Sequence, residues 1–153
     1  MPAHQAARAL AQAIAADEGF ARQPHWQGQP RDTGPWCRAG DAAPAAAQSS
    51  AWGRLVSRLA DLVALAVPGQ APLVHGALAT GERQALAWTE MARGLLLHWV
   101  QLAATPAGLV VARYQVIAPT EWNGHPGGGL AQSVAALTPG DEAGARLLAL
   151  AYD

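Results

Sequence analysis

Residues 90–123, EMARGLLLHWVQLAATPAGLVVARYQVIAPTEWN, constrain this chain more than any other stretch. Two apolar runs flank Thr105-Pro106-Ala107-Gly108, where Pro and Gly supply turn chemistry. Val110, Val111, Val116 and Ile117 give the second run the β-branched density of a strand. The pattern predicts an antiparallel hairpin with strands over about 93–103 and 109–118. Antiparallel strands set the start of one beside the end of the other. Arg93 opens the first run, and Pro119-Thr120 closes the second. Both ends are therefore expected around one small volume. A guanidinium and a hydroxyl there can hold something anionic or strongly hydrogen-bonding.

A chain of 153 residues is sized for one domain. We read residues 1–47 as an N-terminal helix followed by an irregular Pro/Gly/Trp arm, and 48–153 as the core. Charged residues make up only 14%, and every cation of the Lys/Arg class is arginine. With a net charge of −1 and scattered arginines, no basic stripe marks a nucleic-acid partner. No apolar run reaches the ~20 residues that span a bilayer. Residues 55–67 come nearest and are broken by Arg58 and Asp61. The N-terminus lacks the basic-then-apolar order of a secretory signal, and a single cysteine excludes an internal disulfide framework. A cytoplasmic protein without membrane insertion is expected.

Residues 3–17 have helical spacing, with Gly19 as the expected C-terminal cap. Residues 20–47 contain four prolines and three glycines, which excludes a long helix. Phe20, Trp26 and Trp36 are its expected anchors. Ser49 or Ser50 caps a predicted helix over 51–66, with Trp52, Leu55, Val56, Leu59, Leu62, Val63 and Ala66 as its apolar face. Residues 72–81 read as strand or loop, 84–89 as extended, and 130–137 and 141–151 as helices. The predicted class is α+β, mainly helical, with a long central hairpin.

Three patches, taken in order, resemble one family. FARQPHWQGQPRDTGPWCR (residues 20–38), EMARGLLLHW (90–99) and YQVIAPTEWN (114–123) are similar to HupK-type hydrogenase assembly proteins. Those proteins are relatives of the nickel–iron hydrogenase large subunit. The tail LLALAYD resembles the run that leads into Asp-Pro-Cys in that subunit. The resemblance implies a large-subunit-like fold and a pocket for an iron carrying two cyanides and one carbon monoxide. By its terms Arg93 matches the arginine poised over the metal site, with Pro119 and Thr120 across from it. Thr120 matches a hydroxyl residue that hydrogen-bonds a cyanide, and Asp153 matches an acid just before a ligating cysteine. A bound cyanide nitrogen is a partly anionic acceptor suited to such donors.

The departures carry as much information. Nickel–iron thiolate chemistry needs soft sulfur ligands, and this chain has Cys37 and no Cys-x-x-Cys pair. Ala92 stands where the family pattern has proline. The sequence ends at Asp153 inside a helix-like apolar run, which reads as a truncation. The expectation is a non-enzymatic assembly factor that holds or transfers the iron–dicyano–carbonyl unit. Hydrogenase maturation chaperones and the immature large subunit are the expected partners. Two other readings stand beside it: a metal-free scaffold that captures chaperones through the Trp-rich arm, and a fragment of a hydrogenase large subunit. Cys37 is a weak metal-ligand candidate against a half-buried thiol. His98 reads as a hydrogen-bonded core histidine, Asp32 as an arginine partner, and Arg93 has Glu90 or Glu121 as alternative salt-bridge partners. His4, His25, His75 and His125 lack zinc spacing, Gly127–Gly129 lacks a nucleotide-loop context, and no nucleophile triad is present.

Overall fold

The computed structural model describes residues 3–38, 50–68 and 73–152. Helix α1 (Ala3–Ala16) is followed by a 3-10 turn at Phe20–Arg22 and a short α2 (Pro35–Arg38). Helix α3 (Ala51–Ala66) precedes four strands: β1 (His75–Gly81), β2 (Gln84–Met91), β3 (Gly94–Thr105) and β4 (Gly108–Ile117). Three helices follow: α4 (Pro119–Asn123), α5 (Gly129–Ala135) and α6 (Glu142–Tyr152). The class is α+β. The expected hairpin is present as β3–β4, closed by Pro106-Ala107 between paired Thr105 and Gly108.

The sheet is larger than one hairpin. It is a four-stranded antiparallel meander in the order β1-β2-β3-β4. Residues 75–87 are rich in Ala and Gly and show little strand propensity of their own. Partner pairing decides their state. Leu86 pairs with Trp99 and Trp88 with Leu97 across β2–β3. On β1, Gly76 lies under the Trp88 ring, where a Cβ would collide with it.

One face of this sheet carries the main core. Leu86, Leu97, Trp99 and Ile117 are buried beneath Ala7, Leu10, Ala11 and Ile14 of α1, with Phe20 and Trp122 closing one end. Helix α1 stops at Ala16 and Gly19 is not a left-handed cap; its φ is −82°. The Asp17 carboxylate accepts from the Gly19 N–H instead, at 2.7 Å. A second, smaller core joins Ala51 of α3 to Leu148 and Ala151 of α6. Asp141 caps α6 by accepting from the Gly144 N–H at 2.8 Å.

Helix α3 has the expected bounds, and the Ser50 hydroxyl accepts from the Gly53 N–H at 3.0 Å. Its orientation reverses the expectation. Ala51, Gly53, Arg54 and Ser57 are buried, while Trp52, Leu59 and Leu62 are exposed. Polar anchors determine this. Arg54 is bonded to Asp32, the Arg58 guanidinium donates to the Ala151 carbonyl at 3.1 Å, and Asp61 is bridged to Arg38 at 2.6 Å.

Candidate functional site

Arg93 lies in a two-residue turn, Ala92-Arg93, that joins β2 to β3 between paired Met91 and Gly94. Gly94 has φ +136°, the left-handed half of the map that favours glycine. Across from this turn, β4 ends at Ile117, and Ala118 leads into α4 with Pro119 at its start. Proline suits a first helical position because its missing N–H has no intrahelical partner there. The Glu121 carboxylate accepts from the Ala118 N–H at 2.7 Å and fixes the bend. Arg93, Pro119 and Thr120 consequently line one cleft of about 440 Å³, with Ala92 and Leu96 on its apolar wall. Glu121 is engaged at Ala118, and Glu90 accepts from the Val74 N–H at 3.2 Å.

The cleft is held by a residue the sequence reading did not single out. Asn123 is 2% exposed. Its Oδ1 accepts from the Thr33 N–H at 2.8 Å, and its Nδ2 donates to the Arg93 carbonyl at 3.2 Å. Thr33 Oγ1 accepts in turn from the Leu95 N–H at 3.2 Å. Asn123 thus ties α4, which carries Thr120, to the Arg93 turn and to the arm at residues 31–34. A Cβ at Gly94 would overlap Thr33 Oγ1, and one at Gly34 would stand 3.1 Å from the Arg93 carbonyl. Both glycines permit that close approach.

The arm builds a second cleft, of about 550 Å³, lined by Asp32, Trp36, Cys37, Arg54, Ser133 and Tyr152 among others. Arg54, 3% exposed, lies between two aromatic rings, its carbon 4.1 Å from the Trp36 centroid and 3.4 Å from that of Tyr152. Its Nη2 donates to Asp32 at 2.7 Å and to the Tyr152 hydroxyl. Burial raises the Tyr152 pKa above its ordinary value. Cys37 also lies here, an exposed residue rather than the half-buried one expected, whose thiol donates to the Asp32 carbonyl at 3.3 Å from the partly desolvated wall of the cleft. Burial of the sulfur, then the nearby Asp32 charge, push the thiol up to about 11. It is a neutral thiol at physiological pH and a poor nucleophile.

The expected site residues therefore divide. Arg93, Pro119 and Thr120 share a cleft. Cys37 lines the other one. Asp153 lies outside the described residues. Among those described, no group of three or more His, Cys, Asp and Glu is placed to hold a metal ion. His98 is hydrogen-bonded through Nδ1 to the Tyr114 hydroxyl at 2.5 Å, across β3–β4 and away from both clefts. Asp32 pairs with Arg54, as an arginine partner should. A sequence signal for Arg54 existed: residues 54, 57, 58 and 61 form a polar stripe at helical spacing.

The chain belongs with a class of accessory proteins named for hydrogenase expression and formation. It is 46% identical over 97% of its length to the hydrogenase expression/formation protein HoxV of Cupriavidus necator. It is 42% identical over 82% to HupV of Azotobacter chroococcum, and 44% over 67% to HupK of Azotobacter vinelandii. These similarities identify it as a homologue of the HupK-type proteins. It spans 42%, 36% and 29% of the lengths of these three relatives. No protein-family model and no solved structure matches the chain.

Proposed function

We infer that this chain acts in the maturation of nickel–iron hydrogenase as a non-catalytic accessory, and that its Arg93–Thr120 cleft receives the iron–dicyano–carbonyl unit as cargo. One observation carries this reading. The guanidinium-bearing turn and the hydroxyl-bearing helix start line one cleft, while the cysteine lines another. The donors suit the cyanide nitrogens. No thiol among the described residues lines that cleft, so in this reading any soft ligand for the iron comes from outside those residues. A holder that grips the diatomic ligands and leaves the iron's sulfur positions free is suited to hand its cargo on. The immature large subunit is the recipient in this reading, and maturation chaperones are the further partners.

The scaffold reading, with capture of chaperones by the Trp-rich arm, has less support. Trp36 is 3% exposed against Arg54 and Tyr152, and Trp26 packs on the main core, so both serve the interior. The large-subunit-fragment reading needs two cysteine pairs encoded outside this sequence, which itself holds Cys37 alone.

The test is infrared spectroscopy on protein purified anaerobically after co-expression with the maturation proteins and the large subunit. Cyanide and carbonyl bands are expected, absent in Arg93→Leu and shifted in Thr120→Val, because each loses a donor to the diatomic ligands. Bands that are identical in all three proteins would refute the placement of the cargo.

A further inference from the structure

Helix α3 turns its polar side to the protein and its apolar side to solvent. Trp52, Val56, Leu59 and Val63 are 74%, 46%, 62% and 56% exposed, and Ala66 is exposed with them. Their spacing is four, three, four, three. That is the seam of two helices crossing at a shallow angle, in which residues of one enter the gaps of the other. A lone surface helix normally hides such a stripe, and a contiguous exposed apolar patch marks an interaction surface.

We propose that this seam pairs with the same seam of a second copy, α3 running antiparallel to its partner about a two-fold axis at Leu59. Charge selects this occupant first. Arg58 is turned to the Ala151 carbonyl and Asp61 to Arg38, so the seam itself is uncharged. Self-pairing buries no unpaired ion, whereas a charged partner finds nothing to match.

Shape selects it next. Trp52 and Ala66 stand seven residues either side of Leu59. Antiparallel pairing sets the indole of one copy over the small Ala66 of the other, Val56 over the Leu62–Val63 step, and Leu59 on Leu59. Parallel pairing would stack indole on indole at one end and leave a gap between alanines at the other. A two-fold contact uses one patch on both partners, which is the commonest symmetry of oligomers.

Area is the third argument. Trp52, Val56, Leu59, Leu62 and Val63, the large side chains of the seam and its flank, are 46–74% exposed. Together they offer several hundred Å², near the roughly 800 Å² that each partner of a stable complex buries. None of the seam residues lines the Arg93 or the Arg54 cleft.

Sedimentation equilibrium on the chain tests it, with Leu59→Glu as the disrupting variant. Leu59 is exposed, so the fold should survive, as circular dichroism will show. The wild type is expected to sediment as a dimer, and Leu59→Glu to raise the dissociation constant by roughly a hundredfold or more. In a Cys37→Ser background, Leu59→Cys should form a disulfide with itself under mild oxidation, and Val56→Cys should not. A monomeric wild type overturns the proposal. So does a dimer that withstands Leu59→Glu, or one that cross-links through Val56 rather than Leu59.

Discussion

Replacing Asn123 by Ala should unfasten the cleft at a cost that the structure allows to be worked out. The amide makes two hydrogen bonds, to the Thr33 N–H and the Arg93 carbonyl, and is 2% exposed. A net hydrogen bond is worth about 0.5–1.5 kcal/mol, and a buried group left unpaired costs about 1–3 kcal/mol. Both backbone partners are part-buried, so water recovers some of the loss. The sum is about 2–3 kcal/mol, a large share of the roughly 5–15 kcal/mol that holds a domain of this kind folded. Urea denaturation should show the midpoint falling with an unchanged slope. Amide exchange should locate the effect, because the Thr33 N–H loses its acceptor. Asn123→Asp makes the control. It keeps the acceptor for Thr33 but places carboxylate oxygen against the Arg93 carbonyl, so Thr33 stays protected while stability still falls. A loss under about 0.5 kcal/mol with Thr33 protection intact in Asn123→Ala would refute the reasoning, since surface changes alone reach that size.

Arg54→Met should cost about 3 kcal/mol in the same assay, because it strands Asp32 in a largely buried place. Arg54→Met combined with Asp32→Leu should cost less than Arg54→Met alone; an additive result would show that the pair is not coupled. Cys37 should react with iodoacetamide at a rate that climbs through pH 9 and levels near about 11, whereas a plateau near ~8.5, the value of a free thiol, would show an unburied sulfur. The sign for stability follows. The folded state prefers the protonated thiol, so its contribution is whole below the unfolded pKa and is lost as pH rises through the folded one. Wild type should therefore lose stability relative to Cys37→Ser as pH rises above about 9.

The hairpin was legible because its cues are local. Thr105-Pro106-Ala107-Gly108 sets the turn, and Val110 through Ile117 carry their strand propensity with them. Strands β1 and β2 were not legible to the same degree. Ala77, Ala79, Ala85 and Ala87 have no preference that a short window can detect, and their state follows from pairing: Ala85 with Val100 and Ala87 with His98 on β3, and Ala77 and Ala79 with Ala87 and Ala85 in turn. Helix α3 shows a different failure. Its bounds could be read from Ser50 and the periodicity, yet the periodicity could not tell which side faces inward. Apolar burial and polar anchoring compete for a helix, and three charged anchors on one side outweighed a stripe whose Leu59 and Leu62 only edge an open groove with Leu73 and Ala92.

The cleft divides along the same line. Arg93 and Thr120 came together on paper because an antiparallel hairpin must bring its open ends together, whatever the side chains do. What keeps them at a working distance is Asn123, whose two partners are 90 and 30 residues away in sequence. No spacing rule reaches that far. The glycines at 34 and 94 carry the imprint of the same contact. Each leaves room where a Cβ would press on the neighbouring segment, and each has a φ that other residues rarely adopt. Small residues at two distant turns with a buried amide between them amount to one device. The arm that began as an irregular Pro/Gly/Trp segment is the third wall behind the cleft, and the geometry of Arg93 depends on it as much as on the hairpin.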